Sequence, residues 1–225
     1  MQAILQLIKG IDEAKIIFGI NPLIKRGLDI LLSISLLILF SPVLILFMGI
    51  IFVQTKASPI YIQKRGLTID KYSFNILKLR TLYPNIKNDN KEIHNVLIQS
   101  NFAKSVIPMG GFLRRTGIDE IPQLINVLMG NMSLIGPRPL SVHDLEIIKN
   151  EIPELYIRRE KLNVKPGISG YWQIFGDREK GIQNLVEYDE YYANNKSFLL
   201  DMFLMMMTLP LMLFARHTDA IVRDK

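Results

Sequence analysis

The stretch ILLSISLLILFSPVLILFMGIIFVQT, residues 30–55, runs for 26 residues without a charge. A bilayer core of about 30 Å is crossed by about 20 residues of apolar helix, so this run is long enough to enter a membrane. It does not read as a secretory signal, because it lies late and lacks a short apolar core followed by a small-residue cleavage site. The competing reading is the buried core helix of a globular protein, which is usually shorter.

Ser41-Pro42 sits at the middle of the run. A proline there removes a backbone donor and crowds the preceding turn, so the spacing predicts a kink or a break. Lys15, Lys25 and Arg26 precede the run, and Lys56, Lys64, Arg65 and Lys71 follow it. Cationic flanks favour the cytoplasmic side, which draws both ends to one face. A helix that dips in, breaks at Ser41-Pro42 and returns satisfies both flanks, with the freed backbone groups met inside the protein or by Ser41. A kinked spanning helix is the alternative. Asp29, at the mouth of the run, is expected to pair with Lys25 or Arg26 near the interface.

The charge is as local as the hydrophobicity. The chain of 225 residues has a net charge of +6, 49% apolar residues and no cysteine, with a mean hydropathy of +0.21. Residues 56–80 hold six cations (Lys56, Lys64, Arg65, Lys71, Lys78 and Arg80) against Asp70 alone, or +5 of that total. Such a patch suits anionic headgroups or a phosphate-bearing substrate. The missing cysteines exclude a disulfide scaffold, a thiol nucleophile and an iron–sulfur cluster.

Downstream, residues 60–80 read as two strands around a turn at Gly66. Residues 84–101 read as a polar loop with a helix, and 111–130 as two short helices with Pro122 in a first turn and Gly130 as a stop. MSLIGPRPL is extended and ends in a stiff Pro-Arg-Pro turn. Residues 141–162 read as one charged amphipathic helix, 165–177 as a turn-rich loop and 182–195 as a polar helix. The tail from Ser197 to Ala215, interrupted by Asp201 and Pro210, reads as a surface-lying interfacial helix. The pattern predicts an α+β fold: a small membrane-associated catalytic domain over 56–215, an N-terminal amphipathic segment over 1–24, a re-entrant membrane helix over 25–55, and a tail over 216–225.

Asp119-Glu120 is the pair most suited to chemistry. Neighbouring residues on a helix point in different directions, so the two carboxylates can hold separate roles. Arg114 and Arg115 lie one turn upstream, ready to hold phosphate, and their charge favours an ionised carboxylate. Arg138, set between Pro137 and Pro139, is a cation on a rigid support. Lys78 and Arg80, two apart, share one face of a strand and make a cationic wall. Gln173, beside the single Trp172, is placed to contact a base or sugar, or simply to pack. The sequence has no G-x-G-x-x-G, P-loop or D-x-D run, and His94, His143 and His217 lack metal-ligand spacing.

The chain resembles the bacterial sugar transferases of the monotopic phosphoglycosyl transferase family. The likeness rests on KRGLD at 25–29, Ser41-Pro42, FNILKLRT at 74–81 and RRTGIDEIPQLINVLMGNMSLIGPRPL at 114–140. It continues through PGISGYWQ at 166–173 to Tyr192, Ser197, Leu200-Asp201 and Thr208. The resemblance implies transfer of a sugar-1-phosphate from a UDP-sugar to polyprenyl (undecaprenyl) phosphate, with release of UMP, as a membrane step of glycoconjugate or exopolysaccharide synthesis. It implies Asp119 as covalent nucleophile and magnesium ligand, Glu120 as a second catalytic residue that assists the polyprenyl phosphate or organises the site, and Mg²⁺ as cofactor. It further implies phosphate contacts from Lys78, Arg80, Arg114 and Arg138, and a place on the cytoplasmic face of the bacterial inner membrane. Leu82, Ser169 and Asp177 depart from the family pattern, and Asp177 displaces Arg178 from its usual place after glycine.

A second function class is a non-catalytic membrane-anchored scaffold that binds anionic lipid through the basic patch. It leaves Asp119-Glu120 and the proline-locked Arg138 unexplained. Nucleic-acid binding fits poorly, because the charge lies directly beside the membrane segment. No residue selects the sugar, and none fixes an oligomeric state.

Overall fold

The computed structural model describes residues 21–84, 105–177 and 180–213. Helix α1, Pro22–Thr55, opens with the Asn21 side chain accepting from the Leu23 N–H and with Pro22 in its first turn. It ends where Lys56 adopts a left-handed conformation. The helix continues through Ser41-Pro42, so the expected break is a missing rung and not an end. Pro42 has no N–H to offer the Ile38 carbonyl four residues back, and the Ser41 hydroxyl donates to that carbonyl at 2.8 Å.

One face of α1 packs against the rest of the protein along most of its length. Leu32, Leu36, Leu37, Phe40 and Leu44 meet a core of Phe74, Ile76, Ile121, Leu124, Val127, Met132 and Leu134. Phe47 and Ile51 belong to a second core with Leu79, Ile107 and Leu113. The opposite face is apolar and exposed. Ile24, Leu31, Ile38, Ile45 and Phe52 recur every seven residues, flanked by Leu39, Leu46 and Val53. Seven residues make two helical turns, so these side chains form one stripe. An exposed stripe this apolar suits a membrane surface or a protein partner. Among the described residues, α1 is the one helix long and apolar enough to cross a membrane.

Strands β1, Ile60–Gly66, and β2, Phe74–Leu79, form the expected antiparallel hairpin, with Tyr61 opposite Lys78 and Arg65 opposite Phe74. Helix α2, Gly110–Thr116, is followed by a 3₁₀ turn at Ile118–Glu120 and by α3, Gln123–Leu128. Strand β3, Ser133–Ile135, then leads through the Pro-Arg-Pro turn to β4, Leu140–Ser141, which pairs with the end of β1. The three-stranded sheet therefore has the order β2-β1-β4.

Two expectations are corrected further along. The single helix over 141–162 is two, α4, Val142–Glu151, and α5, Pro153–Lys161. Pro153 cannot donate to the turn before it and disfavours helical geometry at Ile152, which takes φ −138°, ψ 66°. The region read as a loop contains β5, Gly167–Ser169, paired in parallel with β3, and the short helix α6, Tyr171–Phe175. Gly136 and Gly167 make that pairing possible, since a Cβ on either would collide with the other's backbone. Helix α7, Gly181–Asn195, buries Ile182, Leu185 and Val186 against Trp172, and α8 runs Phe198–Leu213. The N-terminal segment over 1–20, His94, His217, Arg178 and most of the polar region 84–101 lie outside the described residues.

Candidate active site

The carboxylate pair is delivered by a change of helix direction. Gly117 takes φ 70°, a left-handed conformation that a Cβ disfavours, and its N–H closes the last turn of α2 on the Arg114 carbonyl. The chain then winds into the 3₁₀ turn, and Ile121, Leu124 and Val127 anchor it in the core. Asp119 and Glu120 are thereby buried, 6% and 5% exposed. Carboxylates removed from water to this degree require compensating charge or hydrogen bonds.

Lys78 supplies that charge to Glu120, its Nζ donating to Oε1 in a close ion pair. Asn126 sets the register that makes this possible. On the free edge of β2, its Oδ1 accepts the Leu77 N–H at 2.9 Å and its Nδ2 donates to the Asn75 carbonyl at 2.7 Å. One side-chain amide thus does what a neighbouring strand would do. It docks α3 on the residues just before Lys78, and Glu120 lies six residues before Asn126.

Lys78 lies in β2 and Arg80 just beyond its end, so the two do not share a strand as expected, though both lie beside Tyr61. Tyr61 is directly opposite Lys78 and so on the same face of the sheet, and the Arg80 guanidinium lies 5.8 Å from its ring centroid. Arg80 has left the strand, and its Nε donates to the Ser58 carbonyl at 2.7 Å. Arg114 joins from α2, with Nε donating to Thr81 Oγ1 at 2.9 Å. Lys78, Arg80, Arg114 and the Asp119-Glu120 pair are thus assembled from β2, the segment after it, α2 and the 3₁₀ turn.

Arg138 stands at the other end of β1, where Arg65 Nη1 donates to the Pro139 carbonyl. Tyr61 and Arg65 are four residues apart, or about 13 Å along a strand. The Arg138 guanidinium lies 5.8 Å from the Trp172 ring centroid. From Met132 to Ser141, Arg138 alone is not buried. Gln173 is buried beside Trp172.

Asp29 corrects an expectation. It accepts from Ser133 Oγ at 2.8 Å and from the Leu134 N–H at 3.2 Å, and so fastens α1 to β3 instead of pairing with Lys25 or Arg26. Lys25 pairs with Asp201 of α8 at 2.5 Å, and Arg26 donates to the Val127 and Leu128 carbonyls at the end of α3. Tyr192 donates to Asp201 Oδ1. Burial raises the Asp201 carboxyl above its ordinary value, against the opposing pull of Lys25.

Among the described residues, no three His, Cys, Asp or Glu side chains converge as a resident metal centre requires. Mg²⁺ is commonly held by one or two carboxylates together with substrate phosphates. Asp119, a hard oxygen donor beside Glu120, fits that donor set.

Sequence reasoning missed Asn126, Arg159, Asp189 and Tyr192 as organising residues. Asn126 interrupts the apolar run of α3, which was its one signal. Arg159 and Asp189 sit in charged helices where a solvent face is the ordinary reading, yet they form an ion pair that is 0% and 1% exposed.

The bacterial sugar transferase family model matches residues 20–215. The exopolysaccharide production protein ExoY of Sinorhizobium fredii is 30% identical over 219 residues, covering 91% of this chain and 92% of that protein. The UDP-glucose:undecaprenyl-phosphate glucose-1-phosphate transferase of Klebsiella pneumoniae is 35% identical over 195 residues, covering 84% of this chain and 40% of the relative. The UDP-N-acetylgalactosamine-undecaprenyl-phosphate N-acetylgalactosaminephosphotransferase of Aeromonas hydrophila is 33% identical over 189 residues, covering 83% and 43% respectively.

Proposed function

The chain belongs to the bacterial sugar transferase family, and from that premise we propose that it moves a sugar-1-phosphate from a UDP-sugar to undecaprenyl phosphate through a covalent intermediate on Asp119. The carrying observation is the buried Asp119-Glu120 pair with Lys78 on Glu120, and with Arg114 bonded to Thr81, the residue after Arg80. The relatives named for such reactions support the substrate class.

An Asp119 carboxylate oxygen attacks the phosphorus that carries the sugar. The bond from that phosphorus to the oxygen bridging the two phosphates breaks, and UMP leaves with the electron pair. The Asp119–phosphosugar bond then breaks as an oxygen of undecaprenyl phosphate attacks the same phosphorus, giving undecaprenyl-diphosphate sugar and the free carboxylate. Carboxylates serve as covalent nucleophiles at phosphorus. Lys78, Arg80, Arg114 and Arg138 bind phosphate oxygens, and charge so fixed stabilises the transition state without reorganisation. Lys78 holds Glu120 in place beside the nucleophile. Asp119 would hold Mg²⁺ with the diphosphate, and the metal supplies charge neutralisation there.

The exposed stripe of α1 lies in the bilayer, and both ends of the helix return to the cytoplasmic face. The packing of both halves of α1 on one domain favours this dip over a span, since a bare spanning helix leaves no room for that domain beside it. Undecaprenyl phosphate, whose tail stays in lipid, would then meet the site at the membrane surface. A screen of UDP-glucose, UDP-galactose and UDP-N-acetylgalactosamine with undecaprenyl phosphate, read as UMP release, tests the function. UMP release with at least one donor, lost in Asp119→Asn, is expected; turnover by Asp119→Asn at the wild-type rate would contradict the covalent role.

A further inference from the structure

Pro137-Arg138-Pro139 offers one backbone N–H and three carbonyls, because neither proline carries a donor. All four groups are engaged. The Pro137 carbonyl accepts from the Gly167 N–H at 2.9 Å, and the Pro139 carbonyl accepts from Arg65. Both groups of Arg138 itself go to a single ion pair. Its carbonyl accepts from Arg159 Nη2 at 2.8 Å, and its N–H donates to the Asp189 carboxylate. Arg159 Nη1 and Asp189 Oδ2 are joined at 2.6 Å, and Arg159 Nε donates to the Leu67 carbonyl at 2.9 Å.

We propose that the buried Arg159–Asp189 pair is a positioning device for Arg138, holding its backbone from both sides so that its guanidinium meets the substrate phosphate in one fixed place. Arg159 belongs to α5 and Asp189 to α7, so the pair transmits the packing of those two helices to the Pro-Arg-Pro turn. Stability alone does not explain it, since apolar side chains of similar volume often replace a buried ion pair without loss. The neighbouring pair, Arg158 with Glu190, joins the same two helices at the surface by two hydrogen bonds at 2.9 and 2.5 Å. The helices are therefore already tied together, and what the buried pair adds is its hold on Arg138. With that hold in place, the freedom left to Arg138 is that of its side chain, which lies over Trp172. The inference rests on the proposal that Arg138 binds substrate phosphate.

The test uses the full chain in detergent with undecaprenyl phosphate and the most active donor of the UDP-sugar screen. In Arg159→Met/Asp189→Leu the pair is replaced by apolar volume. The expected result is a cooperative melt near that of the wild type and a KM for the UDP-sugar raised about tenfold, with a smaller change in kcat. Asp189→Asn, which keeps an acceptor for the Arg138 N–H, is expected to raise KM about threefold; it decides the question if the double variant does not fold. Glu190→Gln is expected to stay within twofold of wild type. In an Arg138→Ala background the double replacement is expected to add nothing further to KM. An unchanged KM in a folded double variant, an unchanged KM in Asp189→Asn where the double variant fails to fold, or fully additive losses with Arg138→Ala, would overturn the positioning role. An Arg138→Ala variant with wild-type KM would instead remove the phosphate-binding reading on which it rests.

Discussion

Lys78, the penultimate residue of the edge strand β2, forms an ion pair with Glu120, the last residue of the 3₁₀ turn that carries Asp119. Removing Lys78 leaves Glu120 buried without its cation, and breaking a pair of this kind costs about 3–5 kcal/mol where it is well buried. Lys78→Met is therefore expected to lower UMP release by at least about a hundredfold, which corresponds to about 2.7 kcal/mol of lost transition-state stabilisation. Lys78→Met/Glu120→Gln is expected to recover thermal stability without recovering activity. The comparison of melting temperature with turnover checks both.

Asn126 replaces a strand beside β2. Asn126→Ala leaves the Leu77 N–H and the Asn75 carbonyl without their partner, a loss of about 2 kcal/mol. For a chain of this size that lowers Tm by roughly 6 °C, measured by differential scanning fluorimetry in detergent. Asn126→Asp keeps the acceptor but sets a buried carboxylate against the Asn75 carbonyl, so it is expected to lose at least as much as Asn126→Ala.

The Asp189 carboxyl is pushed up to about 6 from 3.8, burial outweighing the attraction of Arg159 and the hydrogen bond from the Arg138 N–H. The folded state then binds this proton more tightly than the unfolded chain does. Its contribution to stability is fully present below pH about 4 and is lost as the pH rises through about 6. The charged groups facing it are Arg159 from α5 and Arg138 from the turn. Between pH 7 and pH 5, the wild type is expected to gain about 1 kcal/mol of stability relative to Asp189→Asn. Parallel Tm-versus-pH curves for the two proteins would exclude the shift.

The membrane disposition has a clean probe because the chain has no cysteine. Asn21 and Lys64, both exposed, lie on either side of α1. Single variants Asn21→Cys and Lys64→Cys, expressed in cells, are expected to react with a membrane-impermeant maleimide only after permeabilisation of the inner membrane. Labelling of one from each side would establish a spanning helix. Ile38→Asp, on the exposed stripe, is expected to weaken membrane retention while leaving the fold intact.

Much of this architecture was legible in residues taken singly. The uncharged run fixed α1, the alternation at 60–80 the hairpin, and Pro122 and Gly130 the limits of the second short helix. Ser41 was readable as the group that answers the carbonyl freed by Pro42, because proline chemistry is local. What was not legible depends on contacts between distant segments. Asp29 has two cations within four residues, yet it bonds to Ser133 and Leu134, more than a hundred positions away. Lys25 likewise chose Asp201. Gly167 to Ser169 read as loop because β5 exists only by pairing with β3. In the site, the charged and proline-flanked residues announced themselves. Arg159 and Asp189 did not, since an arginine and an aspartate in polar helices give no sign that they face each other in the interior.

The covalent role of Asp119 is tested most directly by isotope exchange. Labelled UMP and unlabelled UDP-sugar are incubated with the protein in the absence of undecaprenyl phosphate. If Asp119 takes the phosphosugar before the acceptor arrives, label moves into the UDP-sugar at a rate comparable to turnover, and Asp119→Asn abolishes it. Exchange that appears only when undecaprenyl phosphate is added, or that persists in Asp119→Asn, would contradict a covalent aspartyl intermediate.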